Sequence, residues 1–451
     1  MRWPRMAILL ILSGNVTAMF WFSFGGQLAF LVGWPMVLVP VAYMVVGAAL
    51  IGGLIMRIAS KEGLSLPLLS RGLGFGVKGS AVASIVYGVN YIFYFIFEGS
   101  IVSHALTEFA GIPVDSMEAT LIFAGIALVA LYFSWRGMHS MNILQRFGMP
   151  IFLILFVIGM FMLANGYVLT GPGEWHAGPV SETALLQALG LMNGQIVFQG
   201  LTATDYGRFV KTSVRYRGTA LLMFVELLMI AVVMLAGAFI SFTMLPAFAG
   251  RANPELAAID PGLYFALFMG LLGVIFTVIT QVRINVINLY SGSLAFSNAA
   301  DALGRRKIGR QWWMVGLIAV GVVLYPINIL QYTETFLALT GIMTNAWIVI
   351  LLADYLVCRK LLRLAPSANI EYEEGKVRSW NPAGLVAMSI GIIVGGAGIF
   401  GAYPLYLASV VTMAVCPLIY IPIMAATKGR FYRKPLEQLS IPEHAEEVLT
   451  R

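Results

Sequence analysis

Twelve apolar stretches of roughly twenty residues, separated by polar connections, constrain this chain more than any other feature. A helix needs about 20 apolar residues to cross the hydrocarbon core of a bilayer. Within that core every backbone N–H and C=O must find a partner inside the protein. Spans are expected at about 6–31, 34–57, 79–108, 118–134, 148–169, 183–202, 218–244, 263–290, 312–330, 334–358, 383–402 and 405–425. The 451 residues are 59% hydrophobic and only 11% charged, against about 25% charged in an ordinary soluble domain. The sequence therefore predicts an all-α polytopic membrane protein, with one transmembrane domain over 1–425 and a tail over 426–451. The amino end, MRWPRMAILLILSGNVTA, imitates a cleaved leader. Its apolar pattern runs on through Phe30, however, and cleavage would remove the first span, so it is read as retained.

Charge sets the expected orientation. With the N-terminus inside, the cytoplasmic segments are 1–5, 58–78, 135–147, 203–217, 291–311, 359–382 and 426–451. All but two of the 28 Lys and Arg residues fall in these segments or, for Arg57, at an edge. The two exceptions are Arg251 and Arg283, while Glu108, Asp115, Glu118, Glu174, Glu182, Glu255 and Asp260 occupy the outer side. This asymmetry follows the positive-inside rule. It predicts a protein of the cytoplasmic (inner) membrane with both termini in the cytoplasm. The formal charge of +7 is accounted for by that topology, and no nucleic-acid partner is expected. Cys358, Cys416 and four scattered His residues have no disulfide or metal-ligand spacing. No cofactor or metal is expected. No Walker-type phosphate loop and no nucleophile–base pair occurs, which argues against an ATP-driven pump or an enzyme.

Polar residues inside the spans mark the working centre. The stretch Thr277–Asn298 carries Arg283 together with Gln281, Asn285 and Asn288. A charge at mid-membrane costs about 2.5–3.5 kcal/mol even on lenient scales, and is a functional hypothesis by default. The three carboxamides, at i, i+4 and i+7, share one helical face, and Arg283 points elsewhere. The third span carries a stripe of Tyr87, Tyr91, Tyr94 and Glu98. Tyr94 can stack on a flat ring, and Glu98 can accept from ring N–H groups or take up a proton. The sixth span offers Asn193, Gly194, Gln195 and Gln199, the first Asn15 and Thr17, and the tenth Thr340, Gly341, Thr344 and Asn345. Glu226, in the seventh span, is read as the structural partner of another polar side chain. The first span is expected to break at Ser13-Gly14-Asn15 and the sixth at Asn193-Gly194-Gln195. Paired breaks five spans apart are the signature of an inverted-repeat transporter with a midplane site.

These pieces resemble the nucleobase:cation symporter-1 family, which includes the cytosine permeases and the bacterial hydantoin transporter. The resemblance covers almost the whole chain. It rests on Ser70-Arg71, Phe75-Gly76-Val77-Lys78-Gly79, Asp205-Tyr206-Gly207-Arg208-Phe209, Asn288-Leu289-Tyr290-Ser291, Ala353-Asp354-Tyr355 and Trp380-Asn381-Pro382-Ala383, in that order. It implies a LeuT-type fold of two inverted five-helix repeats, about 6–170 and 183–358, plus two extra helices over 383–425. By position, Tyr94 matches the family's stacking aromatic and Glu98 the neighbouring amide that bonds the ring. Asn288 matches the eighth-span Asn and Asn15 the first-span amide. The second stacking aromatic falls near Gln195, a departure from the two-sided sandwich. Arg283 stands where sodium-dependent members carry an ion-ligating hydroxyl. A permanently protonated guanidinium there implies a built-in cation.

The sequence thus predicts a monomeric secondary transporter of a nucleobase or related planar nitrogen heterocycle by alternating access. It is expected to be proton-coupled or uncoupled rather than sodium-coupled. Its substrate residues are expected to be Tyr94, Glu98, Asn288, Asn285, Gln195, Asn15 and Gly194, with Arg283 and Glu98 at the coupling site. The alternatives are an amino-acid or amine transporter of the same fold and a non-transporting membrane receptor or sensor.

Overall fold

The computed structural model describes residues 2–166, 181–304, 308–365 and 369–432. The end of the fifth expected span, the outer connection with Glu174, and the tail beyond Tyr432 lie outside the described residues. The chain opens with α1 (Arg5–Val16), α2 (Phe20–Val32), α3 (Leu38–Glu62), the short α4 (Leu66–Ser70) and α5 (Ser80–Ala110). It continues with α6 (Met117–Trp135), α7 (Met138–Gly166), α8 (Glu182–Gly207) and α9 (Tyr216–Met244). Two short helices, α10 (Pro254–Ala258) and α11 (Pro261–Met269), lead into α12 (Leu271–Ala302). The rest comprises α13 (Arg310–Leu324), α14 (Thr333–Leu352), α15 (Pro382–Gly396) and α16 (Ala408–Ala426). Helix stands at each of the twelve expected positions. Nine helical stretches among the described residues are long and apolar enough to cross a membrane, and α2 and α15 are shorter apolar helices.

The distribution of polarity is inverted relative to a soluble protein. Leu121, Val157, Phe161 and Leu418 face outward with 65–72% exposure, whereas Gln281, Arg283 and Asn345 are 0–2% exposed. An apolar outside and a polar inside suit a hydrocarbon solvent.

Three of the expected spans differ in where they are interrupted. Helix one breaks between Val16 and Phe20, a few residues past Ser13-Gly14-Asn15. The break falls there because the N–H groups of Met19 and Phe20 find side-chain acceptors on α12 and α5. The sixth span does not break: α8 runs unbroken through Asn193-Gly194-Gln195. Gly194 instead permits a close crossing, since an added Cβ would lie 3.1 Å from Gly341 Cα on α14. The eighth span divides at Gly270, whose φ of 57° ends α11 and turns the chain into α12.

Small residues set the helix crossings, as in membrane bundles generally. A Cβ on Gly25 would sit 1.9 Å from the Met234 carbonyl oxygen, and one on Gly237 would sit 2.1 Å from that of Phe22. The two glycines let α2 and α9 touch backbone to backbone, which holds the distal half of helix one in place. Gly237→Leu is expected to destabilise the protein by roughly 3 kcal/mol through overpacking. Thermal unfolding in detergent checks this, and a variant that melts with the wild type would contradict the crossing.

Further out, Asp260 fixes α11 to α5. Its Oδ1 accepts from the N–H groups of Gly262 and Leu263 at the start of α11, a helix N-cap. Its Oδ2 pairs with His104 Nδ1 at 2.5 Å. At the opposite end Trp3 stacks on Phe209 with ring centroids 5.3 Å apart, and its N–H donates to the Phe209 carbonyl. The first contact ties α11 to α5, and the second ties the segment before α1 to the segment after α8.

Candidate substrate site

The break in helix one is the origin of the site. Where α1 ends and α2 begins, backbone donors lose their intrahelical acceptors. The Met19 N–H donates to Gln281 Oε1 at 3.3 Å, and the Phe20 N–H donates to Glu98 Oε1 at 3.4 Å. Gln281 Nε2 in turn donates to Glu98 Oε2. One carboxylate and one carboxamide, from α5 and α12, thus cap the reopened helix. A negative charge at the start of α2 is also favoured by the helix dipole. Glu98 and Gln281 are 1% and 0% exposed.

Glu98 also lines a cavity with Tyr94, Tyr91, Asn288 and Asn15. Tyr91, Tyr94 and Glu98 reach it together because they lie at i, i+3 and i+7 on α5. Tyr94 is held on several sides. Gln195 Nε2 donates to its hydroxyl at 3.1 Å, and Phe20 and Phe336 meet its ring edge to face. Phe198, one turn after Gln195 on α8, meets the Tyr94 ring at 5.1 Å between centroids and 38° between planes. Phe198 lines the cavity too. The second aromatic face therefore comes from a residue that the sequence reading did not single out. Its signal was available: an aromatic three positions after Gln195 lies on the same helical face.

The expected residues separate into two groups. Tyr94, Glu98, Asn288 and Asn15 line the cavity. Gln195, Asn285 and Gly194 stand behind it. Gln195 holds the Tyr94 hydroxyl, Asn285 Oδ1 accepts from Asn288 Nδ2 at 3.2 Å, and Gly194 lies against Gly341. Gln281 caps the break instead of facing the cavity. Asn193 accepts from the Tyr43 hydroxyl at 2.7 Å, on the α3 side. Glu226, expected as a structural partner, lines the cavity beside Asn15 and Gln199.

Arg283 lies on the other surface of α12. Its Nη2 donates to Gln145 Oε1 on α7, and that Gln145 side chain lies 3.1 Å from where a Cβ on Gly14 would stand. Gly148 makes room for the arginine stem: a Cβ there would overlap Arg283 Cδ at 2.1 Å. Arg283 is 2% exposed, its Nε and Nη1 have no hydrogen-bond partner, and no carboxylate pairs with it among the described residues. It is a buried cation held between α12 and α7, beside the proximal half of helix one. No cluster of His, Cys, Asp and Glu that could hold a metal occurs among the described residues.

Over residues 3–420 the sequence matches the family described as permease for cytosine/purines, uracil, thiamine and allantoin. No curated protein sequence matches the chain. Among solved structures it is similar to Mhp1, a nucleobase-cation-symport-1 family transporter, in a closed conformation with bromovinylhydantoin bound. The TM-score is 0.72 at 17% identity, covering 96% of this chain and 94% of that one. The inward-facing conformation of Mhp1 gives 0.69 at 16% identity, with 96% and 95% covered. A manganese transporter of Eremococcus coleocola gives 0.54 at 14% identity, with 94% and 95% covered. At these identities the likeness carries the fold, and the fold is of the LeuT type. The sequence match covers nearly the whole length, so the chain is an integral membrane secondary transporter, not an enzyme, and belongs to the family of permeases for cytosine/purines, uracil, thiamine and allantoin.

Proposed function

We propose that this permease carries a nucleobase or a related planar nitrogen heterocycle by alternating access, and that it runs on protons or without coupling rather than on sodium. The observation that supports the substrate class is one cavity, beside the break in helix one, that joins the rings of Tyr94 and Phe198, tilted against each other, to Glu98 and Asn288. Aromatic faces take a flat ring. A carboxylate and a carboxamide at its edge take ring N–H and C=O groups. A relative with bromovinylhydantoin bound fits the same class.

Two observations support the ion assignment. Arg283 places a fixed positive charge next to the proximal half of helix one, which repels a second cation there. Glu98 joins the cavity to the break. A proton on Glu98 turns one acceptor oxygen into a donor, so the group no longer accepts well from both Phe20 and Gln281. Protonation thereby loosens the cap on α2, and the hinge of helix one responds. The proposal also includes the inverted repeats over about 6–170 and 183–358, a monomeric state, the cytoplasmic (inner) membrane and cytoplasmic termini.

The amino-acid alternative sets Glu98 against a ligand ammonium and Arg283 against its carboxylate. Arg283 does not line the cavity, which weighs against that reading. The test is uptake of labelled cytosine into proteoliposomes, with sodium and pH gradients varied separately and with purines, hydantoins and amino acids as competitors. Flat heterocycles are expected to compete and amino acids not to, and replacing sodium by potassium is expected to leave uptake within twofold. Uptake that requires sodium sinks the ion assignment. Competition by amino acids alone sinks the substrate class.

A further inference from the structure

The cavity holds a second carboxylate. Glu226, in the middle of α9, is 2% exposed and lines the same cavity as Glu98. Its Oε1 receives only a long bond, 3.5 Å from Asn15 Nδ2, and the shorter bond of that amide, 2.8 Å, goes to Gln199 Oε1. Its Oε2 is buried with no hydrogen-bond partner. A buried carboxylate left in this state is costly, and such a group calls for an explanation. The polar groups that line the cavity with it include Asn15 of α1, Gln199 and Tyr206 of α8, and Asn288 of α12. None of them carries a positive charge. No Lys, Arg or His lines the cavity among the described residues, and Arg283 is committed to Gln145.

Two carboxylates therefore face one cavity without a fixed cation to balance them. They are also spaced along a single element. Glu98 meets the Phe20 N–H at the start of α2 and Glu226 meets the Asn15 side chain near the end of α1, so the two carboxylates contact helix one on either side of its break.

We propose that Glu226 is a second substrate-binding group and that the substrate is an amino-bearing or cationic planar heterocycle, with its ring at Tyr94 and Glu98 and its amino or cationic end at Glu226. The inference rests on the reading of this cavity as a heterocycle site. An exocyclic amine or ring cation supplies the donor that Oε2 lacks, through a charge-assisted bond. A neutral dioxo ring turned the same way presents a carbonyl oxygen to a carboxylate and leaves both unpaired. Sites built to bond a ligand N–H discriminate strongly against analogues that lack it.

The test is equilibrium binding to the purified full-length transporter in lipid nanodiscs, with uracil, cytosine and the permanent cation N1-methylnicotinamide as probes. Cytosine and the cation are expected to bind at least tenfold more tightly than uracil. Glu226→Gln is expected to bring the three affinities within about threefold of one another, because cytosine and the cation lose the carboxylate and the amide can donate to the uracil carbonyl, while thermal unfolding in detergent reports an intact fold. Glu226→Asp, which keeps the charge, should retain part of the preference. If the wild-type ratio persists in Glu226→Gln, the role of Glu226 is overturned and the heterocycle reading stands. If uracil binds the wild type as tightly as cytosine and the cation, the proposal is overturned whether or not the Gln variant can be purified. If none of the three binds, the heterocycle reading falls and this inference with it.

Discussion

Glu98→Gln is expected to reduce substrate accumulation driven by a pH gradient at least a hundredfold while leaving a folded, membrane-inserted protein. The reason is a count of donors and acceptors. The carboxylate offers two acceptor oxygens, one to the Phe20 N–H and one to Gln281 Nε2, while Gln281 Oε1 receives the Met19 N–H. A carboxamide at position 98 offers one oxygen and one NH2. If its oxygen faces Phe20, two NH2 groups confront each other. If Gln281 then turns over to relieve them, the Met19 N–H is orphaned. Either arrangement leaves one buried donor unpaired, at a cost of about 1–3 kcal/mol, and removes the titrating group that caps the start of α2. Two measurements separate the roles: accumulation under an imposed pH gradient, and exchange of labelled substrate at equal concentrations on both sides. Exchange should survive better than accumulation. A variant with full pH-driven accumulation would end the proton-carrier assignment, although a ligand contact would remain open to it.

Replacing Arg283 with Met should have the second large effect, with opposite signs for stability and for transport. The guanidinium is buried, bonded on one nitrogen to Gln145, and paired with no carboxylate among the described residues. An uncompensated buried charge costs several kcal/mol after relaxation. A long apolar side chain fills most of the same slot opposite Gly148. Arg283→Met is therefore expected to gain roughly 1–3 kcal/mol of stability, read as a higher melting temperature in detergent. Transport should fall at least tenfold, because the built-in positive charge beside the break is gone. A variant that melts lower than the wild type would contradict the uncompensated charge. One that transports normally would end its role as a fixed cation.

The spans were legible because membrane insertion is a local, additive property. Length and apolarity of a single stretch decide it, and helix stands at each of the twelve positions read from the sequence. The stripe of Tyr91, Tyr94 and Glu98 was legible for a related reason: helical periodicity is a property of one segment. The breaks were less so. Gly14 and Gly194 looked alike in sequence, yet helix one opens at 17–19 and α8 does not open at all. An interrupted helix survives only where freed N–H groups find acceptors, and Met19 and Phe20 find theirs on residues 281 and 98. Near Gly194 no such acceptors are needed, because the helix stays closed and the glycine serves the crossing with Gly341.

The same division holds within the site. The sequence by itself determined that an intramembrane carboxylate, an aromatic stripe and a cluster of amides must converge on something, since isolated polar groups do not persist in hydrocarbon. It determined equally that Arg283 leaves α12 on a different side from Asn288. Tertiary structure alone decided the partners. It set Phe198 against Tyr94, gave Gln281 to the cap of α2, sent Arg283 to Gln145 and turned Glu226 into the cavity. The physical reason is that a helical period fixes only the direction in which a side chain leaves its own axis. Which atom waits there depends on crossings set by Gly25, Gly237 and Gly148 in other helices, far away along the chain.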